Sequence, residues 1–448
     1  MKKLRIIASI ALVGLVAAGL AACSTSGTAS GGKTTVNWWT WDDQQAAAYK
    51  LCLPGFEKAN PNIDVKITQY NVNDYFTKLT AGFVAGTAPD AFQDSVPQLG
   101  IYASQKQILP LDDLIKKTNY NLGQFDVGVA SWKYTDGKQY GIPLDWAGAA
   151  IYFNEDMIKK AGLTDQDINN LTWNPTDGGT FDKVVAHLTI DKNGVRGDQP
   201  GFDKNNVKTY GIASLAAQDF NGQTSWNPFV ATLGWKLGGT KAAWPKEIPY
   251  NDPNLVSTLN YIKKLGDRGL MPKYGQFTVS SADQMGAGNV AMAQDGTWNA
   301  TSLTKVPGLK VGIAPTVKSA DGTRGMISNS NANNIFAGSK HVDQAWKWVT
   351  YMGSTACQTT AGKTATFLPS IASALQSTVD YQKTQGVDIQ SFVDAAKNNE
   401  LYPAPPMANG QELADTIQPE FEAFFTGEKG DSIFQTMQTQ SQQILTKK

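Results

Sequence analysis

Twelve tryptophans and fifteen tyrosines stand among 448 residues, and several of the tryptophans have polar neighbours. Trp41 precedes Asp42, Trp146 follows Asp145, Trp226 sits between Ser225 and Asn227, and Trp298 closes Asp295-Gly296-Thr297-Trp298. An indole offers a flat apolar face with one polar edge. A sugar ring has an apolar C–H face and a rim of hydroxyls, so indoles beside hydrogen-bonding side chains suit it. A neutral ring needs no net charge opposite it, and an uncompensated buried charge is costly. The aromatic candidates are Trp298, Trp41, Trp146 and Trp226. The polar candidates are Asp42, Gln93, Asp94, Asp145, Asp295, and Asn329 and Asn331 from the run Ser328–Asn334. Trp38 and Trp39 sit in or beside a first strand, where at least one belongs to the core. Trp346 and Trp348 fall on a late helix and read as packing.

Other chemistries lack their residues. No nucleophile elbow, zinc-binding His-Glu-x-x-His or phosphate-binding Gly-rich loop is present. His187 and His341 are the two histidines, and neither has a Cys or carboxylate at ligand spacing, so no metal site is expected. Asp191, Asn193 and Asp198 lie in the polar stretch 191–208, which lacks the closing Glu of a calcium loop and reads as solvated. No cofactor is expected. Lys+Arg and Asp+Glu number 39 each, which leaves no basic footprint for nucleic acid. A glycoside hydrolase needs two carboxylates astride the bond; counting acids does not exclude it.

The elements that must position these residues begin with a leader. Lys2, Lys3 and Arg5 precede the apolar run Ile6–Gly19, which is too short for a permanent span. Leu20-Ala21-Ala22-Cys23 follows and resembles the lipobox of bacterial lipoproteins. That implies residues 1–22 as signal peptide, Cys23 as the lipidated residue and 23–33 as a flexible tether of small polar residues. The remaining ~415 residues exceed one compact core and suggest two lobes. Thr34–Trp41 reads as a strand running into an aromatic loop. Asp42 and Asp43 then suit a helix N-terminus, and the helix Gln44–Lys58 is expected to kink at Pro54. Strand 63–68, helix 74–85 and strand 91–94 complete a βαβ rhythm, which predicts a parallel sheet. Gly141 and Pro143 mark a candidate hinge. Cys52 and Cys357 are an even pair for an oxidising compartment, as a disulfide or as two buried thiols.

Phe56-Glu-Lys-Ala-Asn-Pro-Asn-Ile63, Gly86-Thr-Ala-Pro-Asp90 and Ile108-Leu-Pro-Leu-Asp-Asp-Leu114 resemble the opening lobe of the extracellular solute-binding proteins of carbohydrate ABC transporters, the maltose-binding-protein-like family. Asp136–Trp146 with Ile151–Asn154, Gly288–Met292 running into Asp295–Trp298, and Ala337–Lys340 with Ala345–Val349 are similar to its later landmarks. The resemblance implies an α/β periplasmic-binding-protein-like type II fold, two lobes joined by a hinge with the ligand cleft between them. It implies an N-terminal lobe of 34–144 plus about 313–375 and a C-terminal lobe of 145–312 plus about 376–448. It also implies a monomeric receptor, lipid-anchored on the outer face of the bacterial membrane, that passes an oligosaccharide to ABC permease subunits and does no chemistry. Trp298 falls where the family stacks a sugar, Ser225–Phe229 around Trp226 resembles a family segment near the cleft, and Ser328–Asn334 stands where the family has a Gly/Ser-rich cleft segment. Ala147 falls where the maltose-binding protein has a sugar-facing carboxylate, and Asp145 stands two residues back. Cys52 and Cys357 fall in one lobe, which makes a bridge possible. The competing classes are a secreted glycoside hydrolase and a binding protein for a non-sugar solute.

Overall fold

The computed structural model describes residues 32–447 apart from 218, 242, 365 and 366. The leader, Cys23 and most of the tether lie outside the described residues.

β1 (Thr34–Thr40) buries Val36, Trp38 and Thr40 and turns the intervening residues toward the other face. It pairs in parallel with β2 (Ile63–Gln69) and β3 (Ala91–Ser95). β4 (Ile142–Ala147) runs into β5 (Ala149–Asn154) through Gly148. β6 (Ile190–Asp191) and β7 (Val207–Thr209) form a separate ribbon. β8 (Met292–Gly296) and β9 (Val311–Ala314) flank β5 in a three-stranded sheet. β10 (Met326–Ile335), β11 (Leu368–Pro369) and β12 (Leu401–Pro403) return the chain to the large sheet. Its order is β11-β4-β10-β3-β1-β2, with β12 also paired to β10.

Each sheet is covered on both faces. Val36, Trp38, Ile142 and Leu144 pack against Phe56 and Trp348, and on the reverse face Phe92 and Ala332 pack against Tyr75, Leu79 and Leu99. In the small sheet Ile151, Phe153 and Met292 meet Phe181, Ile262 and Phe421, while Tyr152 and Ala293 meet Val379 and Phe392. This is the two-lobe α/β architecture, and β4–β5 and β9–β10 are two of the links between sheets.

Some local expectations change. The helix over 44–58 is two helices, Asp43–Lys50 and Leu53–Ala59. Pro54 stands in the first turn of the second, where its missing N–H costs nothing, so it starts a helix instead of bending one. Gly141 and Pro143 are not the point of sheet change. β4 remains in the large sheet through Ala147, held by β10 and β11, so the change falls at Gly148, beyond 144/145. β9 is likewise still in the small sheet, so the return lies between Ala314 and Met326, beyond 312/313. Asp191 organises its loop by accepting from the Asn193, Val195 and Asp203 amides.

A disulfide joins Cys52, between the first two helices, to Cys357 on the helix Thr355–Gly362, with Cα atoms 5.4 Å apart and a sequence separation of 305. It fastens the returning segment to the start of the chain within one lobe. Cross-linking so distant residues restricts the unfolded chain strongly. The double variant Cys52→Ser/Cys357→Ser should lose about 2–5 kcal/mol of stability. Denaturant unfolding measures this; an unchanged midpoint would show that the bridge contributes nothing.

Candidate functional site

The strands β1, β2 and β3 run in the same direction, and their carboxyl ends open on one crevice, the usual place for a ligand in an open α/β sheet. A cavity of about 570 Å³ lies there. Trp41 and Asp42 follow β1, Gln69 ends β2, Asn71 stands just before the next helix and Phe76 on it, and Ser95 ends β3. β10 supplies Asn329 and Asn331 to the wall, and Trp298 and Phe367 come in after β8 and before β11.

The two half-buried indoles are held differently. Trp41 lies edge-on to Tyr75, with ring centroids 5.2 Å apart, and tilted against Phe76 at 5.4 Å. Trp298 sits on the short turn Thr297–Asn299 and stacks on Phe367 at 6.3 Å and 27°. Gly296 lets the indole fold back, since a Cβ there would lie 2.4 Å from the ring. Asp42 caps the helix Asp43–Lys50 by accepting from the Gln45 amide at 2.6 Å. Burial pushes its carboxyl above the usual range.

Trp41, Asp42, Trp298, Asn329 and Asn331 therefore meet at one cavity. The other candidates do not line it. Asp145 lies beneath, accepting from Asn331 Nδ2 at 2.9 Å and from Gln45 Nε2, and burial pushes its carboxyl up to about 8. Gln93 is fully buried, donating to Gln45 Oε1 at 2.6 Å and accepting from the Thr40 hydroxyl. Asp94 points to the opposite face of the sheet, near Tyr75 and Tyr102, where burial pushes its carboxyl well up. Asp295 shapes the turn under Trp298 by accepting from the Gly296 amide and from Asn299 Nδ2. Trp146 is buried with Tyr152, Leu368 and Phe392, its N–H donating to the Pro369 carbonyl at 3.1 Å. Trp226 is core: no part of it is exposed, and its ring meets Trp235 at 5.6 Å and Phe421 at 5.4 Å.

Gln69, Asn71, Ser95, Phe76 and Phe367 were not anticipated. The first three stand at or just beyond strand ends, a signal that the sequence pattern carries. Phe367 has no such mark. The contrast between the two indoles is measurable. Trp226→Ala should cost about 3–5 kcal/mol of stability as a large core deletion, whereas Trp298→Ala should shift the unfolding midpoint far less. Equal losses by thermal unfolding would contradict the placement.

Known proteins agree with this architecture. The family described as bacterial extracellular solute-binding protein matches residues 55–389. The multiple sugar-binding protein of Streptococcus mutans is 24% identical over 379 residues, covering 79% of this chain and 79% of that protein. The sn-glycerol-3-phosphate-binding periplasmic protein of Salmonella typhimurium is 23% identical over 428 residues, covering 88% of this chain and 89% of that one. Among solved structures, an ABC substrate-binding protein of Listeria monocytogenes in complex with cycloalternan has a TM-score of 0.75 at 20% identity, over 92% of this chain and 98% of that chain. The family match spans more than half of the sequence, and the chain belongs to the bacterial extracellular solute-binding proteins.

Proposed function

We propose that this protein is a lipid-anchored receptor on the outer face of the bacterial cell membrane that binds an oligosaccharide and delivers it to the permease of an ABC transporter. The observation that carries the reading is the pair of indoles, Trp41 and Trp298, that line one cavity together with carboxamide side chains. Indole faces cover C–H surface, and Gln69, Asn71, Asn329 and Asn331 can exchange hydrogen bonds with hydroxyls. The cavity volume, about 570 Å³, is in the range of small-molecule clefts. The Streptococcus relative is a multiple sugar-binding protein and the Listeria protein was solved with cycloalternan, which supports the same ligand class here.

The alternatives fit less well. The cavity's carboxylates, Asp42 and Asp43, are chain neighbours on one wall, whereas glycoside hydrolysis needs two that flank the bond. A phosphate ester of the kind named for the Salmonella relative would want cations, and no Lys or Arg is among the described residues of that cavity wall. We assign residues 34–147 with about 326–371 to the N-terminal lobe, and 148–314 with about 372–447 to the C-terminal lobe. We propose that the receptor acts as a monomer.

Calorimetric titration with neutral oligosaccharides should give saturable binding and no shortened products by chromatography. Trp41→Ala and Trp298→Ala should each weaken it about 10- to 100-fold, the equivalent of uncovering roughly 1.5–3 kcal/mol of apolar contact. Products would establish a hydrolase, and unchanged affinity in both variants would put the ligand elsewhere. Cys23→Ala should release the protein to the medium or block its processing, because two acyl chains supply the anchorage. A processed, membrane-bound variant would overturn the lipoprotein reading.

A further inference from the structure

Asp145 is one layer below the cavity, yet it ends two hydrogen-bond paths that reach it. On one side Asn331 Nδ2 donates to Asp145 Oδ1 at 2.9 Å, and Asn331 lines the cavity. On the other, Gln45 Nε2 donates to Asp145 Oδ2, Gln93 Nε2 donates to Gln45 Oε1 at 2.6 Å, and the Thr40 hydroxyl donates to Gln93 Oε1. Thr40 Oγ1 in turn accepts the backbone N–H of Asp42 at 3.4 Å, at the turn that follows Trp41. A primary amide donates at one end and accepts at the other. Such a chain has a direction, and the group at its end sets it.

We propose that Asp145 is a positioning residue for the ligand: it fixes which hydrogen-bonding face Asn331 presents to the cavity. This rests on the receptor reading of the cleft. An ionised carboxylate only accepts. It therefore draws the amino group of Asn331 inward and turns the carbonyl oxygen toward the cavity, where it suits a donating hydroxyl. It also holds Gln45 and Gln93 with their amino groups toward Asp145, so that the Thr40 hydroxyl donates to Gln93. An Asn at position 145 would place an amino group against Asn331 or against Gln45, and one of the two paths would reverse.

Burial pushes the Asp145 carboxyl up to about 8, against donors Asn331, Tyr49 and Gln45 that favour its charge. Tyr49 and Asp42 are the titratable groups that face it; Gln358, Thr364 and Phe367, from the other segments around its crevice, do not titrate. Protonation adds a donor whose nearest partner is the Tyr49 hydroxyl, 3.4 Å away. The ionised form holds the chain more firmly, so a ligand that uses it binds the ionised form better. Affinity then rises with pH through the titration and levels off above it.

The test compares wild type with Asp145→Asn by calorimetry from about pH 6.5 to about pH 9, using maltotriose, cellotriose, xylotriose and mannotriose as probes. Wild type should tighten about 3- to 10-fold with rising pH, the worth of one hydrogen bond. Asp145→Asn should be weaker by that factor at the high end and flat across the range. A variant that equals wild type at high pH, or keeps its pH dependence, overturns the proposal. Trp298→Ala, run beside it, separates the two readings: if it binds like wild type the cleft itself is wrong, and if it fails while Asp145→Asn binds normally only the role of Asp145 is wrong. A ligand-free measurement uses the Asn331 side-chain amide in a proton–nitrogen NMR spectrum, assigned by its loss in Asn331→Ala. It should shift through the same titration in wild type and stay fixed in Asp145→Asn; a signal that does not move in wild type refutes the coupling.

Discussion

A strand flanked on both sides in the middle of a sheet is ordinarily apolar, and β10 is not. It lies between β3 and β4 and carries Asn at 329, 331, 333 and 334. Buried carboxamides without partners are expensive, and neighbouring elements meet two of the four, Asn331 and Asn333. Trp38 Nε1 donates to Asn333 Oδ1 at 2.7 Å, and Asp145 takes the amino group of Asn331. The pairing of β10 with β4 slips between Asn331 and Ala332, so that Asn331 faces Asp145 and Ala332 faces Pro143. A bulge of this kind re-aims side chains beside a site. Here it brings a carboxylate under the one strand that borders the cavity and also leads out of the other lobe.

That arrangement gives the cleft an uneven construction. The N-terminal side is prepared before any ligand arrives: strand ends converge, Asp42 is fixed as a helix cap, and the disulfide holds the first helices to the returning segment. The other side contributes chiefly Trp298, on a short turn that Asp295 and Gly296 shape. Since an indole comes from each side, a ring covered on both faces requires the two to approach. In such a receptor, binding and lobe position are coupled through the contacts each lobe adds.

How far the sequence reveals this depends on the range of the interaction involved. Trp41 and Asp42 are legible because a strand end and a helix cap are local features, and Trp298 because its motif is local too. Trp226 carries the same kind of polar neighbours, but Phe421, which covers it, stands almost two hundred positions later. Asp145 and Trp146 belong to a stretch that resembles a family landmark, and Gly141 and Pro143 before them read as a hinge; the pairing of β4 with β10 and β11 extends the large sheet past that hinge. Alternation alone assigns Gln93 and Asp94 to opposite faces of β3, but it does not say that neither face opens on the cavity. Only the covering helices decide that.

The contacts away from the cleft restrict how the lobes can move. The helix Val96–Ser104 meets the start of the helix Gly410–Thr426 at backbone distance: a Cβ on Gly100 would lie 2.0 Å from the Met407 carbonyl oxygen, and one on Gly410 would lie 2.7 Å from that of Pro97. Gln98 Nε2 donates to Gln411 Oε1 at 2.7 Å beside this contact, and Trp244 stands edge-on to Tyr134 at 5.1 Å. Packed surfaces this close resist sliding, because a shift of one ångström brings backbone atoms into collision. Across the cleft mouth the contacts run through side chains: Gln44 Nε2 donates to Ser302 Oγ at 3.5 Å, Thr301 Oγ1 donates to the Thr364 carbonyl at 2.9 Å, and Trp298 stacks on Phe367. Backbone packed on backbone at one place and side-chain contacts at the other favour rotation about the backbone seam over translation. Rotation changes the gap between Trp41 and Trp298 while leaving β10, Asn331 and Asp145 where they are, so the hydrogen-bonding floor of the site stays constant as its walls close.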